Sequence, residues 1–439
     1  MWRTISGLAV PLLVAESLNF AVQLGVVAIL GRMGGDAIYI RSLYQPVSLV
    51  VLAVTVGFSV SNQVAAAISK GAGRPRDVMA NAASLARVWL GLGAALYLVL
   101  AIAAPLLTGP FHVDAEQRDA FVSFLRWTSA AGLLAVGSEL CASSLRGYGY
   151  VRHATLLIVC TASVRIGLVA GLGLGTDVGI AAVPVAEAAA GLSGLTMGLV
   201  LLRRTELWHP PDVLTWRREV FTDLRRIGLP IALSLLLISA YNLAVIGVLG
   251  NYGQDAVAGF TVVSTLQNVV LLPGMVLGTA TAITINQQRG KGDWRRMRAS
   301  MRSGIEVAVM TYVAIAVLVW LVHDPLARLI GGDAGVAASA GSYLGAVALT
   351  YAVQGPVLTS LTVMEETGGG FRAIVLNAIY FGLIVAVSTA AAHAAGSAGG
   401  FYEAVAYCNL IGVSVPLIAV RHIRELSAEG SARTAATTS

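Results

Sequence analysis

Apolar stretches long enough to cross a lipid bilayer follow one another along the whole chain. Cut by charge, glycine or proline, they fall at 6–31, 37–68, 84–108, 119–145, 152–174, 179–202, 228–250, 256–287, 303–323, 336–364, 371–394 and 400–420. A membrane-spanning helix takes ~20 apolar residues, so twelve crossings use roughly 240 to 260 residues and leave short loops, with no room for a large aqueous domain. Only 12% of the 439 residues are charged, against about 25% in soluble domains. Cys141, Cys160 and Cys408 all lie in apolar runs and imply no disulfide framework. The apolar run from Ile5 to Leu30 is too long for a signal-peptide core and reads as a first span.

Charge placement orients these spans. With the N-terminus inside, 23 of the 29 basic residues fall on the cytoplasmic side. Five lie outside or near the outer ends (Arg32, Arg41, Arg118, Arg126, Arg328), and Arg165 lies in mid-span. Such one-sidedness predicts twelve spans in a cell membrane with both termini cytoplasmic. The basic excess therefore encodes topology and does not point to a nucleic-acid partner.

The two halves repeat. An offset of 219 residues puts Pro11 on Pro230, Gly31 on Gly250, Gly34 on Gly253, Asp36 on Asp255, Gly73 on Gly292 and Gly149 on Gly368. The expected fold is an all-α integral membrane protein with twelve transmembrane helices in two six-helix bundles. Six spans per half enter from the same side, so the bundles are related by an axis along the membrane normal, an arrangement suited to rocking about a central site. The expected organisation is an N-terminal lobe at 1–202, a cytoplasmic linker at 203–227, a C-terminal lobe at 228–424 and a disordered tail at 425–439, rich in Ser, Ala and Thr from Ser427.

The motifs Gly31-Arg32-Met33-Gly34-Gly35-Asp36-Ala37, Ser69-Lys70-Gly71-Ala72-Gly73-Arg74 with its echo Gln288-Arg289-Gly290-Lys291-Gly292-Asp293, and Leu145-Arg146-Gly147-Tyr148-Gly149 resemble those of the multidrug and toxic compound extrusion family, over roughly residues 5 to 422. The resemblance implies a secondary antiporter that exports organic, often cationic, compounds against a proton or sodium gradient through a cavity between two lobes. It also implies an acid late in the first span; this chain has Val26 there, and Arg165 where the family carries Asn or Asp. The coupling residues cannot be copied across and must be found among this chain's own charges.

Charges in mid-bilayer are costly and normally face a cavity or a partner. Glu16, Glu139, Arg165 and Glu187 are the candidates, all in the first half. Glu187 ends the Gly179 to Ala186 run where the resemblance implies a small hydroxyl residue facing the N-terminal cavity; its counterpart in the second half, at an offset of 220, is Tyr407. Gly167, Gly171 and Gly175 form a ridge suited to close helix approach, and Arg165, about 200° around the helix from Gly167, faces away from it and is expected to pair with one of the three glutamates. Glu16, Asn19 and Gln23 share a helix face, as do Tyr343, Thr350 and Gln354; Asn242, Gln267 and Asn377 are isolated polar groups. These polar residues are expected to line the substrate cavity, with helix packing as the alternative for each.

The expected activity is cation-coupled efflux of small organic compounds, with a proton (or sodium) as the coupling ion, no cofactor, no metal site, and no obligate protein partner besides the lipid bilayer. The alternatives are a lipid-linked oligosaccharide flippase and a non-transporting receptor or structural protein. An intramembrane enzyme fits less well. The histidines at 112, 153, 209, 323, 393 and 422 lie in loops or at span ends, leaving none in mid-membrane for a triad or metal. Neither Lys70 nor Lys291 stands in a phosphate-binding GxxxxGK[ST] loop.

Overall fold

A computed structural model describes residues 1–109, 113–176 and 178–438; His112 lies outside them. It is all-helical. The long helices are α1 (Trp2–Met33), α2 (Gly35–Gly71), α3 (Arg76–Leu107), α4 (Arg118–Tyr148), α5 (Val151–Gly175) and α6 (Ala182–Arg203). A short α7 (Glu219–Asp223) follows, then α8 (Leu229–Leu249), α9 (Gln254–Lys291), α10 (Trp294–Gly331), α11 (Ala334–Val347), α12 (Tyr351–Met364), α13 (Gly370–Ala395), α14 (Ala398–Ile411) and α15 (Val415–Thr438).

Many of these helices overrun the apolar stretches that nucleate them. At 1.5 Å per residue, 32 residues reach about 48 Å, well beyond a hydrocarbon core of about 30 Å. Lys70 and Arg146, expected in loops, are therefore still helical. The breaks between helices sit at glycines with left-handed backbone: Gly34 (φ 121°) between α1 and α2, and Gly149 (φ 97°) between α4 and α5. The repeat is visible here, because Gly253 (φ 104°), Gly292 (φ 72°) and Gly368 (φ 94°) match Gly34, Gly73 (φ 67°) and Gly149 at the same offset. Only a residue without Cβ takes up this conformation cheaply.

Eleven stretches among the described residues are long and apolar enough to cross a membrane; one of them, Ala334–Ala395, has 62 residues and is broken by Gly368. In the segment expected as a tail, α15 continues past Ser427, whose hydroxyl donates to the Trp294 carbonyl at 3.0 Å. Gly430 lies flat on the Trp294 ring, where a Cβ would come within 2.2 Å.

The chain forms two compact units, one of Val10–Leu229 and one of Met1–Ala9 with Pro230–Ser439. The first nine residues thus group with the second half: the Trp2 indole donates to Glu306 Oε2 at 3.0 Å, and the Met1 sulfur meets Ser300. The segment expected as a cytoplasmic linker, 203–227, groups with the first.

In the unit of Val10–Leu229, α6 is seated on α4 by glycines. A Cβ on Gly191 would lie 3.0 Å from Ala135 N, one on Gly194 2.2 Å from Ser138 Oγ, and one on Gly198 2.6 Å from Cys141 Cβ. The expected ridge on α5 does not play this role: a Cβ on Gly167, Gly171 or Gly175 would meet nothing within 4 Å. Close packing selects the helix pair whose small residues face each other, and the α5 glycines face open space. The apolar core of this unit gathers Val26, Leu30, Tyr44, Phe121, Phe124 and Val169, so the position where the resemblance implies an acid is packed among hydrophobic side chains.

The other unit is cored by Phe260, Tyr312, Tyr343, Tyr351, Phe401 and Tyr402. Pro273 interrupts the backbone ladder of α9, and the Tyr312 hydroxyl fills the gap, accepting from Gly274 N at 2.8 Å and facing the Val270 and Leu271 carbonyls at 3.0 Å.

Candidate functional site

The candidate charges within the unit of Val10–Leu229 separate into two clusters. In the first, α4 supplies both signs. Glu139 and Arg146 are seven residues apart, two turns on one helix face, and their side chains meet at 2.5 Å. Ser59 of α2 sits between them: its hydroxyl donates to Glu139 Oε1 at 2.6 Å and accepts from Arg146 Nη2 at 3.1 Å. Arg146 Nη1 also reaches Glu16 of α1 at 3.4 Å, and the Asn19 amide supports the same carboxylate. Beside this cluster Asn62, fully buried, donates to Leu140 O, Ser143 Oγ and Ser144 Oγ.

Arg146 is the residue that sequence reasoning missed. Counted as a loop cation, it is buried to 9% exposure. The signal was present in the seven-residue spacing from Glu139, which holds only if the helix runs past 145. Two carboxylates thus share one guanidinium, so the cluster carries one negative charge more than it neutralises when both are ionised.

The second cluster joins α5 to α6. The Arg165 guanidinium contacts Glu187, and both side chains are partly open, 29% and 23% exposed. Arg165 Nε is buried with no partner among the described residues. Arg41 of α2, expected near the outer ends, lies within electrostatic reach of this pair and of Tyr44. Its guanidinium stands 5.7 Å over the Tyr44 ring, which meets Phe124 edge-on at 5.5 Å. Arg165 therefore pairs with Glu187 and not with Glu16 or Glu139, which belong to Arg146. Gln23 is exposed on α1, away from both clusters' direct contacts.

The unit that holds the second half is not free of carboxylates, which corrects the expectation that all buried ionic groups lie in the first. Between α12 and α13 the backbone widens into a π-turn, Glu365–Gly369. There Glu365 accepts from Ser234 Oγ at 2.7 Å, and Glu366, 3% exposed, accepts from Thr279 Oγ1 at 2.7 Å. Asn286 donates to the Glu366 carbonyl at 2.9 Å. Glu365 occupies the repeat position of Arg146, so the same place carries opposite charge in the two halves.

The expected cavity-lining residues of this half divide. Tyr343 is core: it is 1% exposed and stacks on Tyr402 at 4.8 Å between ring centres. Asn377, 6% exposed, is likewise buried. Both face inward, where helix packing, the alternative reading for each, accounts for their burial. Gln267 lies beside the Tyr343 and Tyr351 hydroxyls, and Gln354 beside Tyr380. Thr350, expected on the face of Tyr343 and Gln354, is buried and accepts from Asn409 Nδ2 at 3.0 Å, while Tyr380 donates to Asn409 Oδ1 at 2.6 Å. Asn242 is half-buried, and Tyr407, the counterpart of Glu187, is 71% exposed.

The family model described as MatE matches residues 11–170 and again 230–390, once on each half. Among curated proteins, "Probable multidrug resistance protein YoeA" of Bacillus subtilis is 24% identical over 346 residues, covering 74% of this chain and 71% of that protein. A protein of Shewanella oneidensis named "FAD transporter" is 21% identical over 387 residues, covering 85% of this chain and 84% of its own length. Among solved structures, a mutant of the MATE transporter VcmN from Vibrio cholerae superposes with a TM-score of 0.89 at 18% identity, over 96% of each chain. A match to both halves by one family model, with a fold that agrees end to end, is what a duplicated transporter requires: the chain belongs to the MatE family, the multidrug and toxic compound extrusion transporters, and is not an enzyme.

Proposed function

We propose that this protein is a proton-coupled antiporter that exports small organic compounds from the cell, with Glu187 as the group that takes up the proton. The observation that carries the reading is the pairing of Glu187 with Arg165 across α5 and α6, in helices that span the membrane. A carboxylate held by a guanidinium is a two-state contact. Protonation from the outer side removes the charge that attracts Arg165, so the packing of α6 against α5 changes with the proton. A cationic substrate and a proton compete for the same carboxylate, which is the condition for exchange. The Glu16, Glu139 and Arg146 cluster, with its surplus carboxylate, is a second place on the proton's route.

Twelve spans and two rocking halves belong to the same proposal. The stretch Ala334–Ala395, at 1.5 Å per residue, would be about 93 Å long, three times the hydrocarbon thickness, and the left-handed Gly368 supports two crossings within it. Alternating access between the two halves then exposes the site to one side at a time. A drug-like solute is the expected cargo.

The test is drug-stimulated proton movement in proteoliposomes. Wild type is expected to release protons from one side in exchange for solute, and Glu187→Gln to lose at least tenfold of that exchange. Unchanged coupling in the variant removes Glu187 from the role. The solute panel includes cationic drugs and flavin adenine dinucleotide, and failure of every solute to move in wild type sinks the exporter reading itself.

A further inference from the structure

The segment from Arg203 to Arg226 has two unlike sides. Its inner side is fixed to the unit of Val10–Leu229: Leu207, Val220 and Ile227 are buried, Leu207 beside Val78 and Tyr148, Val220 beside Phe58 and Trp89. Arg217 is paired with Asp77 and its backbone N–H donates to Ser84 Oγ at 3.0 Å; Arg87 donates to the Val213 carbonyl. The segment is therefore a strap laid across the start of α3. Gly228 closes it against α2, where a Cβ on Gly57 would lie 2.6 Å from the Gly228 carbonyl.

Its outer side combines exposed apolar groups with arginines. Leu214 is 83% exposed, and Trp216 and Phe221, whose rings stand 5.8 Å apart, are about half exposed. Around them Arg203, Arg204, Arg218, Arg225 and Arg226 face solvent. The helix ends packed with the strap add Lys70, Arg74, Arg76, Arg87 and Arg152. Leaving aside Arg217 and Arg87, which bond inward, this face bears nine cationic groups against four carboxylates, Glu206, Asp212, Glu219 and Asp223. Glu206, though exposed, is engaged by the Tyr148 and Tyr150 hydroxyls.

We propose that the strap is a docking face for anionic phospholipid headgroups of the leaflet it borders. The strap joins the end of one membrane-crossing helix to the start of the next, so it stays at the bilayer surface. Arginine matches phosphate oxygens with two parallel donors, Trp sits at the headgroup level, Phe and Leu supply the apolar side of interfacial segments, and basic residues near the surface gather anionic lipid. A free phosphate would satisfy the arginines and leave Leu214, Trp216 and Phe221 in water; a lipid satisfies both. The proposal rests on the membrane crossings and is independent of the coupling ion.

The test uses the purified full-length protein in detergent, stripped of lipid and titrated with phosphatidylglycerol or phosphatidylcholine, with bound lipid counted by native mass spectrometry. Wild type is expected to retain phosphatidylglycerol at least fivefold over phosphatidylcholine. The double variant Trp216→Ser with Phe221→Ser, and the triple variant Arg218→Gln, Arg225→Gln, Arg226→Gln, are each expected to lose that preference. Arg295→Gln with Arg298→Gln, on α10, is expected to keep it. Equal retention of the two lipids by wild type, or preference undiminished in both strap variants, overturns the proposal. So does displacement of phosphatidylglycerol by glycerol phosphate at equal concentration, which would assign the face to a free anion. Melting temperatures measured without added lipid identify a variant that fails to fold; the triple Arg→Lys variant, which keeps the charge, then decides, and its loss of preference along with the Gln variant's counts against charge-based docking. Because binding is read without transport, failure of the antiport reading leaves this outcome intact.

Discussion

Arg146 ties α4 to α1 through the Glu16 carboxylate and to α2 through the Ser59 hydroxyl, and its loss has a defined consequence. Arg146→Gln leaves Glu16 and Glu139 facing each other without their shared cation. Removing one partner of a buried pair costs about 3–5 kcal/mol, but these carboxylates are more than a third exposed, and solvent screening reduces that to about 1–2 kcal/mol. The expected result is a lower melting temperature in detergent, partly restored when Glu139→Gln is added. A single variant as stable as wild type would show that Arg146 is only a surface cation. The sequence made Arg165 legible because an arginine in the middle of an apolar run has few places to go. It hid Arg146 because a residue at the edge of such a run reads equally as loop or as buried helix, and only the length of α4 decides.

At the scale of elements, the contrast between two sets of glycines gives a second prediction. Gly194→Ala forces a methyl group into Ser138 Oγ and Thr161 Oγ1, and overpacking of this kind costs roughly 1–3 kcal/mol. Gly167→Ala meets open space and replaces a poor helix former with the best one, a gain of up to about 1 kcal/mol. Thermal unfolding in detergent should therefore move in opposite directions for the two. Equal shifts would mean that α6 does not bear on α4 as described. The spacing on α5 was the more conspicuous in the sequence, since three glycines at intervals of four mark one helix face. Which face of a helix meets a neighbour depends on the neighbour, and that is settled in three dimensions. The helices themselves, the glycine breaks and the duplication were readable because each rests on local chain chemistry.

Topology is a property of the whole molecule, and labelling from either side of the membrane reads it. In a background without Cys141, Cys160 and Cys408, which are all free thiols, single cysteines at Thr176 and Ser397 are expected to react with an impermeant maleimide in intact cells. Cysteines at Thr205 and Asp293 are expected to react only after permeabilisation. Labelling of Thr205 and Thr176 from the same side would break the twelve-span arrangement and, with it, the parallel relation of the halves. The duplication was legible from matched glycines. The divergence of its copies was not, because Glu365 and Arg146 share a position but not a charge, and each polar partner was chosen by its own surroundings.

The meshing of Gly191, Gly194 and Gly198 with α4 has a mechanical corollary. Glu187 rides one turn ahead of Gly191, and Glu139 lies between the residues that Gly194 and Gly198 touch, so the two carboxylates are mounted on one stiff plate. On the proposed role of Glu187, loss of its tie to α5 is expected to act on that plate as a unit. A tilt of the plate would then bear directly on the tethers at its other end, Arg146 to α1 and Glu139 to Ser59, with no wire of intermediate side chains needed to carry the message.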